Sequence, residues 1–95
     1  MLWYLYVLRC NDDTLYTGIT TDIDRRVKEH NTSSKGARYT RSRRPVSVVY
    51  STEFSDRSSA QKAEISFKKM SRLKKLNVIE LFHFTDENVE RQTIS

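Results

Sequence analysis

The first apolar cluster alternates along the chain. Trp3, Leu5 and Val7 fall on one side of an extended backbone and Tyr4, Tyr6 and Leu8 on the other, the two-residue period of a β-strand. Both sides are apolar and rich in aromatic and β-branched residues, so Trp3 to Arg9 is predicted to be a strand in the middle of a sheet. Asn11-Asp12-Asp13 is turn material, and Leu15 to Thr20 reads as the returning strand of a hairpin. On that strand Tyr16 and Gly18 share one face, and Leu15, Thr17 and Ile19 share the other. A glycine inside a strand marks a bulge, or a close approach by another backbone or a ligand. The period then lengthens. Ile23, Val27 and His30 recur at helical spacing within a predicted helix from Asp22 to Asn31, capped by Thr20 or Thr21. Asp22 and Asp24 lie in its first turn, where the helix dipole favours anions.

Residues 32–36 read as a loop, and Tyr39 to Pro45 as a basic, irregular stretch. Val46 to Glu53 is predicted to be a third strand, with Val46, Val48 and Tyr50 facing away from Val49. Ala60, Ala63, Phe67 and Met70 repeat at helical spacing in a second helix capped by Ser55 or Asp56. Ser71 is predicted to cap a short third helix carrying Leu73, Leu76 and Ile79. From His83 onward the chain is polar and acidic, and reads as a frayed or loosely docked tail. The order β-β-α-β-α-α implies an α+β fold, a three-stranded, mainly antiparallel sheet packed with helices. Residues 1–82 form the expected domain and residues 83–95 the tail.

Length and composition narrow this picture. A chain of 95 residues closes one core. One cysteine, Cys10, and two histidines, His30 and His83, leave no disulfide framework, no multi-cysteine zinc site and no histidine cluster. No apolar run approaches the about 18 residues of a membrane span, and Met1 to Leu8 has no basic leader. The expected setting is therefore the cytoplasm, with no membrane partner, as a monomer or weak homo-oligomer.

The net charge of +5 is uneven: +8 over residues 1–79 and −3 over residues 80–95. Lys35, Arg38, Arg41, Arg43 and Arg44 form one stretch without an acid; Lys62, Lys68, Lys69, Arg72, Lys74 and Lys75 form another, with Glu64 alone against them. A phosphate backbone is the natural partner of such a field, although a basic run serves equally as a solvated face. Tyr39 and Thr40 within the first stretch suit stacking and phosphate contacts and tilt it toward binding.

Three polar groups sit where the helical pattern calls for apolar ones. Arg26 and His30, one turn apart, lie on or beside the stripe of Ile23 and Val27. Glu64 lies four residues past Ala60 and three before Phe67, on the rim of the second helix's stripe. Singly, each has a structural explanation: a snorkelling arginine, a satisfied core histidine, an ion-pair partner, with Arg26 a candidate for Glu64. Together with Tyr4, Tyr6, Tyr16 and Gly18 on two neighbouring strands, they form a candidate active site of phenols, a guanidinium, an imidazole and a carboxylate.

These residues resemble the GIY-YIG nuclease superfamily, and in particular its small, stand-alone bacterial branch. Tyr4-Leu5-Tyr6 corresponds to the first signature triplet and Tyr16-Thr17-Gly18 to the second. Tyr4 stands where the family has Gly, and Thr17 where it has Ile; neither change removes a reacting group. The family's arginine falls on Arg26, the histidine of several members on His30, the metal-binding glutamate on Glu64, and the asparagine after the glutamate helix on Asn77.

The resemblance implies a metal-dependent endonuclease hydrolysing phosphodiester bonds in DNA, with RNA left open as a partner. One Mg²⁺ or Mn²⁺ ion would sit on Glu64, with water and substrate phosphate completing its shell. Arg26 would grip the phosphate, Tyr6 or Tyr16 would act as general base, and His30 would accept or relay the proton. Lys35, Arg38, Tyr39, Arg41, Arg43, Arg44, Lys68 and Asn77 are the expected nucleic-acid contacts. Nothing in the chain predicts base-specific readout, so the expected action is structure- rather than sequence-directed, with repair as its setting. The alternatives are a nucleic-acid-binding module with this fold and little turnover, and a protein-interaction domain docking through the acidic tail.

Overall fold

In the computed structural model the backbone is described for residues 1–94 and the side chains for residues 1–83. Two strands, β1 (Trp3–Arg9) and β2 (Leu15–Thr20), are followed by helix α1 (Ile23–Thr32), a one-turn helix α2 (Arg38–Arg41), strand β3 (Ser47–Phe54) and helices α3 (Arg57–Lys68) and α4 (Arg72–Ile94). The strands form one antiparallel sheet in the order β2-β1-β3, which places β1 in the centre as its two apolar faces require. Asp13 closes the β1–β2 turn with φ 70°, a left-handed conformation that aspartate tolerates. Among the described residues, no helix is long and apolar enough to cross a membrane.

Each face of β1 carries its own core. Tyr6 and Leu8 pack with Cys10 and Val46, covered by Ile23 and Val27 of α1. Leu5 and Val7 pack with Phe67 on the opposite face, flanked by Ala63 and Met70 and by Val78 and Ile79 of α4. The alternation along β1 and the stripes of both long-predicted helices are therefore realised.

β3 departs from simple alternation. Val7 pairs with Tyr50 but Leu8 pairs with Val48, so Val49 is the extra residue of a β-bulge. The bulge turns both Val49 and Tyr50 toward the Leu5–Val7 core and leaves Val48 exposed, whereas unbroken alternation would oppose Val49 to Val48 and Tyr50. The cap of α1 shifts by a residue or two, whereas that of α3 is one of the two expected. Asp22 caps α1 by accepting from the Arg25 backbone N–H at 3.0 Å, while the Thr20 hydroxyl accepts from the Asp22 N–H just before it. Asp56 caps α3 through the Ser59 N–H at 2.7 Å.

The basic stretch is less irregular than its composition suggests, because α2 forms within it. Arg44 ties its far end to α1: its Nε donates to the His30 carbonyl at 2.5 Å and its Nη2 to the Ser33 carbonyl at 2.6 Å. Those are carbonyls that a helix end leaves without intrahelical partners. Asn31 adds a two-way amide clamp on Val46, donating to its carbonyl at 3.0 Å and accepting from its N–H at 2.7 Å. The short third helix expected around Leu73–Ile79 is instead a helix of 23 residues, and the segment predicted to fray from His83 continues it. Helix propensity and the absence of Gly or Pro after Pro45 let the helix run on where amphipathic patterning fades.

Candidate active site

The site is built around one buried phenol. Tyr6 is 1% exposed, and its cross-strand neighbour is Gly18. A β-carbon on Gly18 would lie 2.6 Å from Tyr6 Oη and 2.7 Å from its ring, so the glycine exists to let that ring lie flat over β2. The close approach expected at Gly18 is thus made by a side chain of the same molecule. Tyr6 Oη meets His30 Nε2 at 2.8 Å. His30 is wholly buried, one turn after Arg26 on α1, and its Nδ1 lies 2.9 Å from Thr40 Oγ1 and 3.3 Å from the Ala37 nitrogen. Burial, with the nearby Arg26 and Arg44 charges, lowers the His30 pKa to about 4, so the ring is neutral at pH 7.

Tyr16 leads from this interior to the surface. Its ring stands edge-on to His30 at 5.1 Å and stacks on Tyr39 at 6.1 Å, while the Arg43 guanidinium covers Tyr39 at 4.0 Å. An open cleft of ≈ 240 Å³ follows, lined by Tyr16, Thr17, Tyr39, Lys68 and Lys75.

Arg26 and Glu64 complete the group. Arg26 Nη1 donates to Glu29 Oε1 at 3.0 Å and to the Lys35 carbonyl at 2.8 Å, which orients the guanidinium beside the Tyr6 hydroxyl. Glu64, three-quarters buried or more, has its carboxylate 3.6 Å from Lys68 Nζ, and so pairs with Lys68 while Arg26 pairs with Glu29. Glu64 is close enough to oppose ionisation of Tyr6. Burial first, and then Tyr16 and Glu64, push the Tyr6 pKa up to about 12 against the opposing pull of Arg26. Tyr6 thus keeps its proton at pH 7. Tyr6, Tyr16, Arg26, His30 and Glu64, drawn from β1, β2, α1 and α3, meet in one place.

Among the described residues no three His, Cys, Asp or Glu side chains cluster as a metal cage. A lone, partly buried carboxylate beside a cleft fits a hard cation that keeps most of its shell as water and phosphate oxygen, and suits no ion needing an all-protein shell.

The expected nucleic-acid contacts divide. Lys35, Arg38, Tyr39, Arg41 and Lys68 are exposed, and Tyr39 and Lys68 line the cleft. Arg43 is committed to Tyr39 and to Asp12 Oδ2 at 3.0 Å, and Arg44 to the end of α1. Asn77 is exposed on α4, outside the residues lining that cleft. Thr40, read from sequence as a phosphate-contacting hydroxyl, is wholly buried against His30. Its place among arginines points to the surface, and only its position as the third residue of α2 turns it inward. Glu29 is a further participant, and its signal was legible as an acid three residues after Arg26.

The family model for the GIY-YIG catalytic domain matches residues 2–77. The chain belongs to the GIY-YIG family. Within this family it is 54% identical over 77 residues to a UPF0213 protein of Desulfotalea psychrophila, covering 81% of this chain and 70% of that one. It is 53% identical over 76 residues to a UPF0213 protein of Streptococcus agalactiae, covering 80% and 85%. The solution structure of the UPF0213 protein BH0048 from Bacillus halodurans matches with a TM-score of 0.56 at 44% identity, over 85% of each chain. That of the protein EF2693 from E. faecalis matches with a TM-score of 0.61 at 44% identity, over 88% of each. The GIY-YIG match gives the chain a nuclease-type catalytic domain, and the match spans every residue of the site from Tyr6 to Glu64.

Proposed function

We propose that this GIY-YIG protein is a metal-dependent endonuclease that hydrolyses phosphodiester bonds in DNA and selects its substrate by structure rather than sequence. The observation that supports it most is the meeting of Tyr6, Tyr16, Arg26, His30 and Glu64 beside an open, lysine-lined cleft. Phosphodiester hydrolysis needs a proton acceptor for water, cations for the phosphate oxygens, and a surface that holds the strand.

The residues divide these tasks. Tyr16 lines the cleft whereas Tyr6 lies beneath it, 1% exposed and protonated, so Tyr16 is the phenol that reaches a bound water and serves as general base. Arg26, held at Nη1 by Glu29 and the Lys35 carbonyl, grips the scissile phosphate with the rest of its fork. Glu64 holds one Mg²⁺ or Mn²⁺ ion, which supplies Lewis-acid stabilisation of the phosphate and offsets the negative charge beside the phenols. Lys68, Lys75 and Tyr39 hold the strand next to the cut, and Arg38 and Arg41 extend the field. Exposed basic side chains such as Arg38, Arg41 and Lys68 suit backbone phosphates, which carry no sequence information, and this favours recognition of strand shape, as at branched or single-stranded ends, and a role in repair.

The test is a panel of duplex, flap, branched and single-stranded DNA assayed with Mg²⁺, Mn²⁺ or EDTA. Cleavage of some of these forms is expected with metal, lost in Glu64→Gln and Arg26→Ala while Glu64→Gln still binds DNA in EDTA. Binding without cleavage of any form would instead make the protein a nucleic-acid-binding module.

A further inference from the structure

The buried imidazole has a proton arrangement that the surrounding backbone dictates. His30 is neutral, so one ring nitrogen carries hydrogen and the other a lone pair. A backbone N–H cannot change roles: it only donates. The Ala37 N–H points at His30 Nδ1, at 3.3 Å. A hydrogen on Nδ1 would meet that N–H head-on, so Nδ1 bears the lone pair and Nε2 the hydrogen. Thr40 agrees with this. Its hydroxyl lies 2.9 Å from Nδ1 and 2.8 Å from the Ala37 carbonyl, and has one hydrogen to give. The Ala37 carbonyl already accepts the Thr40 backbone N–H at 3.0 Å, so directing the hydroxyl hydrogen to Nδ1 leaves neither that carbonyl nor Nδ1 without a partner.

The consequence falls on Tyr6. With hydrogen on Nε2, His30 donates to Tyr6 Oη across 2.8 Å. The Arg26 guanidinium, which can only donate, lies near the same oxygen. The Tyr6 oxygen therefore accepts from His30, and its own hydrogen is directed away from Nε2.

We infer that the turn of Ala37 to Thr40 holds His30 as the Nε2–H tautomer, with Thr40 as a positioning residue, and thereby makes His30 a fixed hydrogen-bond donor to the buried Tyr6 hydroxyl. This rests on the nuclease reading and divides the two phenols by place: Tyr16 lines the cleft, and Tyr6 is held beneath it by His30. His30 is then an orienting group that never needs to ionise. Its burial, which makes it a poor acceptor at pH 7, fits that role and does not fit the proton relay expected of it from sequence.

The tautomer is read directly by two-bond ¹H–¹⁵N correlation of the His30 ring in the metal-free protein at pH 7, with no nucleic acid present. The wild type is expected to show Nε2–H. Thr40→Val is expected to lower the Nε2–H population measurably, and Thr40→Ser to preserve it. An Nδ1–H ring in the wild type overturns the inference outright. An unchanged tautomer in folded Thr40→Val removes Thr40 from it. Because the tautomer is measured without substrate, failure of the nuclease reading leaves that result standing, and an Nδ1–H ring in an active nuclease defeats this inference alone.

Discussion

Tyr6 and Gly18 face one another across the β1–β2 ladder, and the phenol occupies the space that any side chain at position 18 would need. The ring has little freedom to yield, because its hydroxyl is joined to His30 at 2.8 Å inside the core. Gly18→Ala is expected to destabilise the fold by about 1–3 kcal/mol, the usual penalty for forcing an extra methyl group into a packed interior. Urea unfolding checks the first part. Nuclease assay checks the second: cleavage should fall further than stability alone explains, because Tyr6 is displaced from His30 and Arg26.

Neutral burial of His30 makes stability depend on pH in a defined window. Its pKa is lowered from 6.5 to about 4 on folding, so the unfolded chain binds a proton that the folded one refuses. Above pH 6.5 the group contributes no pH dependence. As pH falls from about 6.5 toward 4 stability is lost, by at most about 3 kcal/mol, and the loss levels off below that. Urea unfolding of the wild type and of His30→Gln between pH 7 and 4 should show this slope in the wild type and a flatter one in the variant. The carboxylates Asp12, Glu29 and Asp56, whose pKa values are lowered, also contribute stability that is lost as pH falls into the ordinary carboxylate range, but they do so equally in the wild type and the variant.

Two kinds of arginine in the basic stretch should separate by assay. Arg44 donates to the His30 and Ser33 carbonyls, so Arg44→Ala should cost about 1.5–3 kcal/mol of stability, seen as a lower urea midpoint. Lys at this position should not restore it, since one ammonium cannot reach both carbonyls as the fork does. Arg38→Ala and Arg41→Ala, both exposed, should leave stability within about 0.5 kcal/mol. Each should instead reduce the salt dependence of DNA binding by about one unit of slope.

Removing metal should abolish cleavage and leave the fold intact. Glu64 is a lone carboxylate, and among the described residues no cluster of three ligands exists whose loss would unfold the chain. The midpoint of thermal unfolding in EDTA is expected to equal that in millimolar Mg²⁺ in the absence of DNA; a rise of several degrees with Mg²⁺ would show a tighter, more enclosed site than one carboxylate makes.

Much of this architecture was legible because burial imposes periodicity. β1 shows its central position in two apolar faces, and α1 shows its inward side in Ile23, Val27 and His30. Arg26, His30 and Glu64 were legible as polar groups at positions where apolar ones belong. The bulge at Val49 was not, because it depends on how β3 registers against Leu8, and nothing in Val-Val-Tyr announces an extra residue. Thr40 and Arg44 were misread for a shared reason: their partners are His30 and the carbonyls closing α1, and pairing across such a loop is a tertiary event that local composition does not encode. The long α4 was missed because its polar half lacks the amphipathic stripe on which the reading relied.

Tyr6 belongs to the same packed cluster as Leu8, Cys10 and Val46. Chemistry and cohesion are therefore entangled in one residue, and in so small a domain selection cannot tune them apart. Drift toward a looser interior would blunt catalysis before it unfolded the chain, while any remodelling of specificity is steered outward, to the rim of Tyr39, Lys68 and Lys75, where changes leave the interior untouched.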